Sequence, residues 1–180
     1  LPISEIHLPQ NGKSIGIIGA GPSGLTCGYY LARLGYEVEV YESHAIAGGV
    51  LAFGIPEYRL PNDVLAQEIS IIERAGVKIH LNTEIGKHIS FSDLRQKHDA
   101  IYIATGSQIA NKIDVPGEEL SGVIHGLDFL RKVNLGHEVK VGDVVAVIGG
   151  GNTAIDAART ALRLGAQKVM VLYRRTIEDM

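Results

Sequence analysis

The chain has little cysteine and no long apolar run, which argues against disulfides, iron–sulfur clusters and membrane spans. Its 180 residues include one cysteine, Cys27, and no tryptophan. A single thiol cannot form an internal disulfide or hold an iron–sulfur cluster by itself, because a cluster needs several thiolates. We expect Cys27 to be a small buried thiol. No apolar run reaches the length of about 18 residues that indicates a transmembrane helix, and the first residues lack the apolar core of a signal peptide. We therefore expect a reduced, cytoplasmic protein.

Charge and spacing exclude further classes. A net charge of −3 gives no general attraction to nucleic acid or to an anionic membrane. The seven histidines show neither HxxxH nor HExxH spacing, so no metal site is predicted. No Ser-His-Asp or paired-carboxylate arrangement can be argued from spacing, and we nominate no catalytic residue.

What the chain does contain is one strand–helix–strand pattern that occurs twice. Residues 14–20 are mostly apolar and rich in β-branched types, as in a buried parallel strand, and residues 37–42 (EVEVYE) are predicted to form the next strand. The helical pattern between them ends at Gly35. Residues 141–175 repeat the plan of strand, glycine turn, helix, glycine and strand. Two nucleotide-binding βαβ units are the economical interpretation.

The first glycine turn fits the G-x-G-x-x-G pattern of dinucleotide-binding folds. Gly19 allows the tight turn, Gly21 lets the backbone approach a pyrophosphate, and Gly24 allows close helix–strand packing. Glu42 closes the second strand, where a carboxylate can accept hydrogen bonds from ribose hydroxyls. The alternative is a structural glycine turn in an ordinary α/β protein.

The second turn has Gly149, Gly151 and Ala154 at the three positions. Here the ribose acid is absent, and the sequence Tyr173-Arg174-Arg175 stands in its place. A guanidinium binds a 2′-phosphate that a carboxylate would repel, so this site favours NADP(H) over NAD(H). The alternative is a pair of solvated charges after an edge strand. With the acid-bearing first site suited to FAD, the two cofactors predict hydride transfer from NADPH to a flavin.

The chain resembles a known family from about residue 12 to residue 180. The segments GIIGAGPSGL, YE, GGVLAFGIPEYRLP, IATG, VVAVIGGGNTAIDAARTALRLGA and YRR are similar to the small (β) subunit of NADPH-dependent glutamate synthase. The flavin module of dihydropyrimidine dehydrogenase and related ferredoxin–NADP oxidoreductase subunits share them. The GIPEYRLP segment discriminates best, because glycine turns occur in many unrelated enzymes.

The resemblance implies an α/β fold: a doubly wound, three-layer FAD/NAD(P)-binding (Rossmann-like) fold followed by a second, incomplete Rossmann-like unit. Residues 1–110 are expected to form the FAD-binding domain without its C-terminal return. Residues 111–180 are expected to begin the NADP-binding domain. Such subunits are longer and carry an N-terminal cysteine-rich segment with iron–sulfur clusters, so the chain is expected to be a fragment.

The resemblance also assigns cofactor contacts. Arg59 is expected at the flavin diphosphate or ribityl chain and Ile85 at the adenine. An ion pair for Arg59, core packing for Ile85 and a turn cap for Thr105 are the alternatives. The residues assigned to FAD are Gly19, Gly21, Pro22, Ser23, Gly24, Glu42, Gly48, Gly49, Val50, Arg59, Ile85, Ala104, Thr105 and Gly106. Those assigned to NADPH are Gly149, Gly151, Asn152, Thr153, Arg174 and Arg175.

Together these features predict a flavoprotein that passes electrons from NADPH to FAD and on to iron–sulfur centres. The partner is a large glutamate synthase-like subunit, a pyrimidine-reducing subunit or domain, or a ferredoxin, and an oligomer is possible. The alternative is a non-catalytic FAD-holding or assembly module, a fragment of a dihydropyrimidine dehydrogenase-like or ferredoxin–NADP oxidoreductase-like complex. A disulfide reductase of the thioredoxin-reductase type is disfavoured because no C-x-x-C is present.

Overall fold

A computed structural model describes residues 8–109 and 112–176 of the chain. These residues divide into two compact units. The first contains the described residues up to Ala52 together with Asn62–Gln108. The second contains Phe53–Pro61 and the described residues from Ile109 onward. The expected domain boundary between residues 110 and 111 lies outside the described residues and stays a prediction.

The first unit is a parallel sheet with helices on both faces. Its strands are hydrogen-bonded in the order β3-β2-β1-β4. Ile18 at the end of β1 lies opposite Tyr41 of β2 and Ile103 of β4, so all three strands end at one edge. The elements in chain order are β1 (Ser14–Ile18), α1 (Pro22–Arg33), β2 (Glu37–Tyr41), α2 (Val50–Phe53), α3 (Asn62–Arg74), β3 (Lys78–His80), α4 (Phe91–Lys97) and β4 (Ala100–Ile103).

The core of this unit lies between the sheet and helices α1 and α3. Ile17, Val38 and Val40 are fully buried and share one face of the sheet. Helix α1 comes close at Gly28, where an added Cβ would lie 3.5 Å from side-chain atoms of Ile17 and Val38. Helix α4 covers the opposite face, which completes three layers. The predicted α/β fold is confirmed for this part of the chain.

The α4 face of the sheet carries a buried polar cluster rather than an apolar core. Lys97 Nζ and His80 Nε2 each lie 2.7 Å from Glu39 Oε2, and the Tyr41 hydroxyl donates to the same oxygen at 2.9 Å. His98 Nε2 lies 3.0 Å from the Tyr41 oxygen. Burial favours a raised pKa for Glu39, but the hydrogen bonds from Lys97, Tyr41 and His80 outweigh it and lower the pKa to about 2.

The second unit repeats the strand–helix–strand plan. Its elements are α5 (Gly126–Asn134), β5 (Val144–Ile148), α6 (Asn152–Arg163) and β6 (Lys168–Leu172), and β5 pairs with β6 in parallel. One sheet face packs against the helices through a core that includes Leu130 and Ala161, each 1% exposed. None of the described helices in either unit combines the length and apolar character that crossing a membrane requires.

The segment Phe53–Pro61 is structurally part of the second unit, although in sequence it interrupts the first. Asn134 of α5 donates from Nδ2 to the carbonyl oxygens of Phe53 and Ile55, at 3.0 and 3.2 Å. The Arg131 guanidinium carbon lies 4.8 Å from the centre of the Phe53 ring. Helix α5 therefore holds the start of this segment by both backbone and aromatic contacts.

Candidate nucleotide-binding sites

The first glycine turn has the geometry that its sequence predicts. Gly19 has a φ of +104°, which L side chains rarely adopt, and an added Cβ would collide with the Ala104 carbonyl. A Cβ on Gly24 would collide with the Gly19 carbonyl oxygen, so α1 can approach the turn only with glycine there. Gly21 differs, since a Cβ would meet nothing nearer than Gly49 Cα at 4.0 Å. Gly21 thus leaves open space beside the backbone.

A cavity of about 450 Å³ lies at the carboxyl edge of the sheet in the first unit. This volume falls within the range of about 300–1,000 Å³ found for cofactor and ligand pockets. Its position outside the carboxyl ends of the strands is where open α/β sheets bind ligands. Its walls include these residues assigned to FAD: Gly19, Gly21, Pro22, Ser23, Glu42, Gly49, Val50, Ile85, Ala104, Thr105 and Gly106.

The amino end of helix α1 opens onto this cavity. Gly21 is the N-cap and Pro22 begins the helix, and no side chain caps the first turn. The first turn contains no acidic residue, so its N–H groups and partial positive charge are available to a phosphate. Ser23 is tied by its hydroxyl to the hydroxyl of Tyr102 on β4, at 2.8 Å. This contact holds the second residue of the helix against the neighbouring strand.

Glu42 is held in one orientation at the cavity wall. Its side chain is 5% exposed, and Oε2 accepts the Ala20 N–H at 2.8 Å. Oε1 accepts the His44 N–H at 2.9 Å and lies 2.7 Å from His44 Nδ1. Burial favours a raised pKa, but the N–H groups of His44 and Ala20 and the His44 side chain outweigh it and lower the pKa of Glu42. The residue therefore presents an ionised carboxylate at neutral pH.

The turn after β3 supplies a wall that the sequence patterns did not reveal. The Thr83 N–H donates to the carbonyl of Glu42 at 2.7 Å, and the Asn82 N–H donates to the carbonyl of His44 at 2.9 Å. These bonds place Ile85 beside the cavity, and its expected contact with the adenine stays a prediction. The cavity-lining residues that sequence reasoning did not assign are Ile18, Tyr41, Ser43, Thr83, Glu84, Ile103 and Gln108. Three of them border Glu42 or Ile85 in sequence.

The second glycine turn is similar in form but looser at its third position. Gly149 has a φ of +129°, and an added Cβ would lie 3.2 Å from the Ala154 Cβ. Gly151 is the N-cap of α6 and an added Cβ would meet nothing within 4 Å. Asn152 and Thr153 occupy the exposed first turn of that helix. The predicted NADPH-binding residues of the turn thus surround an open helix amino end.

Arg174 and Arg175 lie just beyond β6, at the same edge as this turn. Both are exposed. The Gly149 N–H donates to the carbonyl of Leu172 at 2.9 Å, which brings the turn and the end of β6 together. The structure therefore places the two arginines beside the glycine turn, at the carboxyl end of the parallel strand pair. Their role in binding a phosphate stays a prediction.

A comparison with known protein families decides the classification. The sequence profile of the pyridine nucleotide-disulphide oxidoreductases matches residues 13–178. The chain belongs to this family. The family binds FAD and NAD(P), so the two cofactors predicted from the sequence are confirmed at the level of the family.

Two curated relatives and one solved structure illustrate the similarity. The NADP(+)-dependent formate dehydrogenase subunit beta of Moorella thermoacetica is 48% identical over 98% of this chain and 25% of the relative. The glutamate synthase [NADPH] small chain of Azospirillum brasilense is 41% identical over 94% of this chain and 38% of the relative. The resemblance to that subunit is confirmed. Mycobacterium tuberculosis FprA, solved with NADPH, superimposes with a TM-score of 0.77 over 93% of this chain and 44% of that one, at 24% identity, and supports the fold.

In this pyridine nucleotide-disulphide oxidoreductase chain, three of the residues assigned to FAD lie outside the cavity lining: Gly24, Gly48 and Arg59. Gly24 packs within the glycine turn itself. Gly48 is buried with a φ of +115°, and its N–H donates to the Ala20 carbonyl at 2.7 Å. Arg59 belongs to the second unit, where its Nη1 lies 2.6 Å from Oδ2 of Asp156 on α6. The Asp156 side chain is 4% exposed. The flavin contact of Arg59 stays a prediction, and the structure gives its guanidinium a protein partner.

The residue before Arg59 is also fixed on α6. The Tyr58 ring lies between two guanidinium groups, 4.5 Å from the Arg159 carbon and 3.9 Å from the Arg163 carbon. Cation–π contacts at such distances stabilise by about 0.5–2 kcal/mol each. The PEYRLP segment is therefore anchored on the helix that begins at the second glycine turn. Among the described residues, no group of His, Cys, Asp or Glu could hold a metal ion.

Proposed function

We propose that the protein containing this chain is an NADPH-dependent flavoprotein. FAD binds in the first unit and NADPH in the second, and electrons leave through iron–sulfur centres of a partner. The observation that carries the proposal is the pair of glycine turns in one chain. The first borders a walled cavity with a buried carboxylate, and the second is hydrogen-bonded to the end of β6, which two exposed arginines follow.

The first unit fits the adenosine diphosphate part of FAD. Gly21 leaves room beside the backbone, and the uncapped amino end of α1 supplies N–H groups to the diphosphate. Glu42, ionised and immobilised by His44 and Ala20, accepts hydrogen bonds from the ribose hydroxyls. The turn around Ile85 closes the adenine side.

The second unit fits NADPH in a similar way, but the charge that follows its second strand is positive instead of negative. Gly151 leaves the amino end of α6 open to the diphosphate, as Gly21 does for α1. Arg174 and Arg175 bring positive charge to the segment that follows β6, whereas the first unit has the carboxylate of Glu42 directly after β2, and the two arginines bind the 2′-phosphate. The sign of the charge at the end of the second strand therefore separates the two sites.

When bound, the two cofactors supply the hydride chemistry themselves: the nicotinamide is the donor and the flavin the acceptor. The residues of this chain hold and orient the two nucleotides. No side chain of the described residues is assigned a proton transfer, and none is needed for transfer between the two rings. The anchoring of Tyr58 and Arg59 on α6 fixes the segment that follows α2.

The partner is proposed from the names of the relatives. One is a formate dehydrogenase subunit and another a glutamate synthase small chain, and each name describes one component of a larger enzyme. The chain spans between 25% and 38% of the length of these two relatives. We infer that the protein is likewise the NADPH-oxidising component of a larger oxidoreductase. The acceptor is an iron–sulfur subunit, an iron–sulfur domain or a ferredoxin.

An anaerobic titration of the purified protein tests this proposal. NADPH is added stepwise while the visible absorbance of the flavin is followed, with NADH as the comparison. We expect stoichiometric bleaching by NADPH at concentrations where NADH bleaches little. A yellow protein that NADPH does not bleach would support the alternative of a non-catalytic FAD-holding module. A protein that purifies without flavin would contradict the proposal that FAD binds in the first unit.

A further inference from the structure

The two βαβ units can be compared position by position because their strands end in the same register. In each unit the first glycine of the turn donates its N–H to the carbonyl of the last residue of the second strand, at 2.8 Å in the first unit and 2.9 Å in the second. The next residue is Glu42 after β2 and Tyr173 after β6. Tyr173, rather than either arginine, is therefore the structural counterpart of the ribose-binding carboxylate.

Glu42 and Tyr173 also contact the same position of their respective glycine turns. Glu42 Oε2 accepts the N–H of Ala20, the residue between the first two glycines of the first turn. The residue in that place of the second turn is Gly150, and the Tyr173 ring covers it. A Cβ added to Gly150 would lie 2.8–2.9 Å from three atoms of the Tyr173 ring. The ring thus fills the space that a side chain at position 150 would need.

This packing explains a glycine that the dinucleotide-binding pattern does not require. The G-x-G-x-x-A pattern specifies Gly149 and Gly151 and leaves position 150 free. The first turn shows that a methyl group is accepted at this position, because Ala20 occupies it. In the second turn, a methyl group at this position would require the Tyr173 ring to move. Gly150 and Tyr173 therefore act as a pair.

We propose that Tyr173, held by its contact with Gly150, determines the nucleotide preference of the second site. The inference rests on the proposed function, in which this site binds NADPH. The aromatic ring occupies the place of the ribose acid and brings no negative charge, so a 2′-phosphate meets no repulsion there. The exposed guanidinium groups of Arg174 and Arg175, which follow directly, then bind that phosphate.

The first test measures the effect of the Gly150–Tyr173 contact while Arg174 and Arg175 are kept unchanged. The affinity of the purified, FAD-loaded protein for 2′,5′-ADP is measured by isothermal titration calorimetry in the wild type, Gly150→Ala, Tyr173→Ala and the double variant. We expect Gly150→Ala to weaken binding about tenfold, because the added methyl displaces the ring. In the double variant the two losses should be strongly non-additive, since the displaced ring is gone. Purely additive losses, or no loss in Gly150→Ala, would overturn the inference.

The second test gives position 173 the negative charge that Glu42 carries in the first unit. Tyr173→Glu should lower the ratio of 2′,5′-ADP affinity to 5′-AMP affinity by about tenfold or more, because a like charge then faces the 2′-phosphate. Tyr173→Phe should keep the wild-type ratio. Lys168→Glu, at the opposite end of β6, changes the local charge without reaching the turn and should also keep it. Unchanged FAD content in every variant shows that the first unit remains folded.

The outcomes distinguish this inference from the function on which it rests. A wild-type protein that binds both nucleotides equally would overturn the NADPH assignment itself, and the role of Tyr173 with it. A wild-type protein that prefers 2′,5′-ADP, with the same preference in Tyr173→Glu, would overturn the role of Tyr173 alone. The NADPH assignment would then rest on the arginines.

Discussion

Replacing the buried carboxylate of Glu42 by an amide should weaken both the first unit and its hold on FAD. In the wild type, both carboxylate oxygens accept hydrogen bonds, one from Ala20 and the other from His44. An amide at this position has one oxygen. Its NH₂ group must therefore face a backbone N–H, either that of Ala20 or that of His44, and two donors then oppose each other in a buried place.

The size of the effect follows from these contacts. Leaving one buried donor unsatisfied costs about 1–3 kcal/mol, so Glu42→Gln should lower the free energy of unfolding by about that amount at pH 7. A hydrogen bond to a charged group contributes about 1.5–3 kcal/mol, so losing the carboxylate should weaken FAD binding by about 10- to 150-fold. Because the folded-state pKa of Glu42 is lowered, its contribution to stability is fully present above the usual glutamate pKa of about 4.5. That contribution is lost as the pH falls through the folded pKa.

Glu37→Gln is the matched control, because it makes the same chemical change at the start of the same strand. Glu37 is 54% exposed and pairs with exposed Lys78, with Nζ 2.8 Å from Oε1. The assays are urea unfolding of the FAD-free protein at pH 7 and pH 3, and equilibrium dialysis of FAD. We expect a clear loss for Glu42→Gln at pH 7, a smaller difference at pH 3 and no measurable loss for the control. Equal behaviour of the two variants at pH 7 would refute the reasoning.

Three other contacts can be tested by single substitutions. Arg174→Ala should weaken NADPH about 10- to 100-fold while NADH changes little, because a charge-assisted bond to the 2′-phosphate is lost; equal losses in a binding titration would contradict that role. Gly21→Ala should leave the unfolding midpoint of the FAD-free protein unchanged but reduce FAD affinity in dialysis, since its Cβ would meet only open space near the cavity; normal FAD affinity would argue against a nucleotide there. Because the pKa of Glu39 is lowered to about 2, its contribution to the free energy of unfolding should be lost between about pH 4.5 and pH 2. Lys97→Met should move that loss to higher pH, as measured by urea unfolding. An unchanged pH profile would show that Lys97 does not stabilise the Glu39 carboxylate.

Much of the first unit could be predicted from its sequence because local signals agree with one another. The β-branched runs, the glycine turn and the stop at Gly35 predict β1, α1 and β2, and all three are present, with Gly35 at a φ of +86°. The position of Glu42 at the cavity wall followed from the same pattern. In each case a residue type with one strong conformational or chemical preference stands where the fold requires it.

What could not be predicted depends on residues far apart in the chain. Arg59 meets Asp156 across 97 positions, and neither residue alone indicates the other. For the same reason, the sequence does not show that Phe53–Pro61 belongs to the second unit, because the helices that contact this segment come much later in the chain. The place of Tyr173 opposite Gly150 needed the strand register, because the sequence presents Tyr173 and the two arginines as one undivided replacement of the acid.

We propose that one chain holds two nucleotides in two units, and that the units differ in the residues directly after the second strand. An experimental structure of the protein with FAD and NADP⁺ bound is the sharpest test of this proposal. We expect the adenosine ribose of FAD within hydrogen-bonding distance of the Glu42 carboxylate. We also expect the 2′-phosphate of NADP⁺ at Arg174 and Arg175, beside the Tyr173 ring. A 2′-phosphate bound elsewhere, or FAD without contact to Glu42, would contradict it.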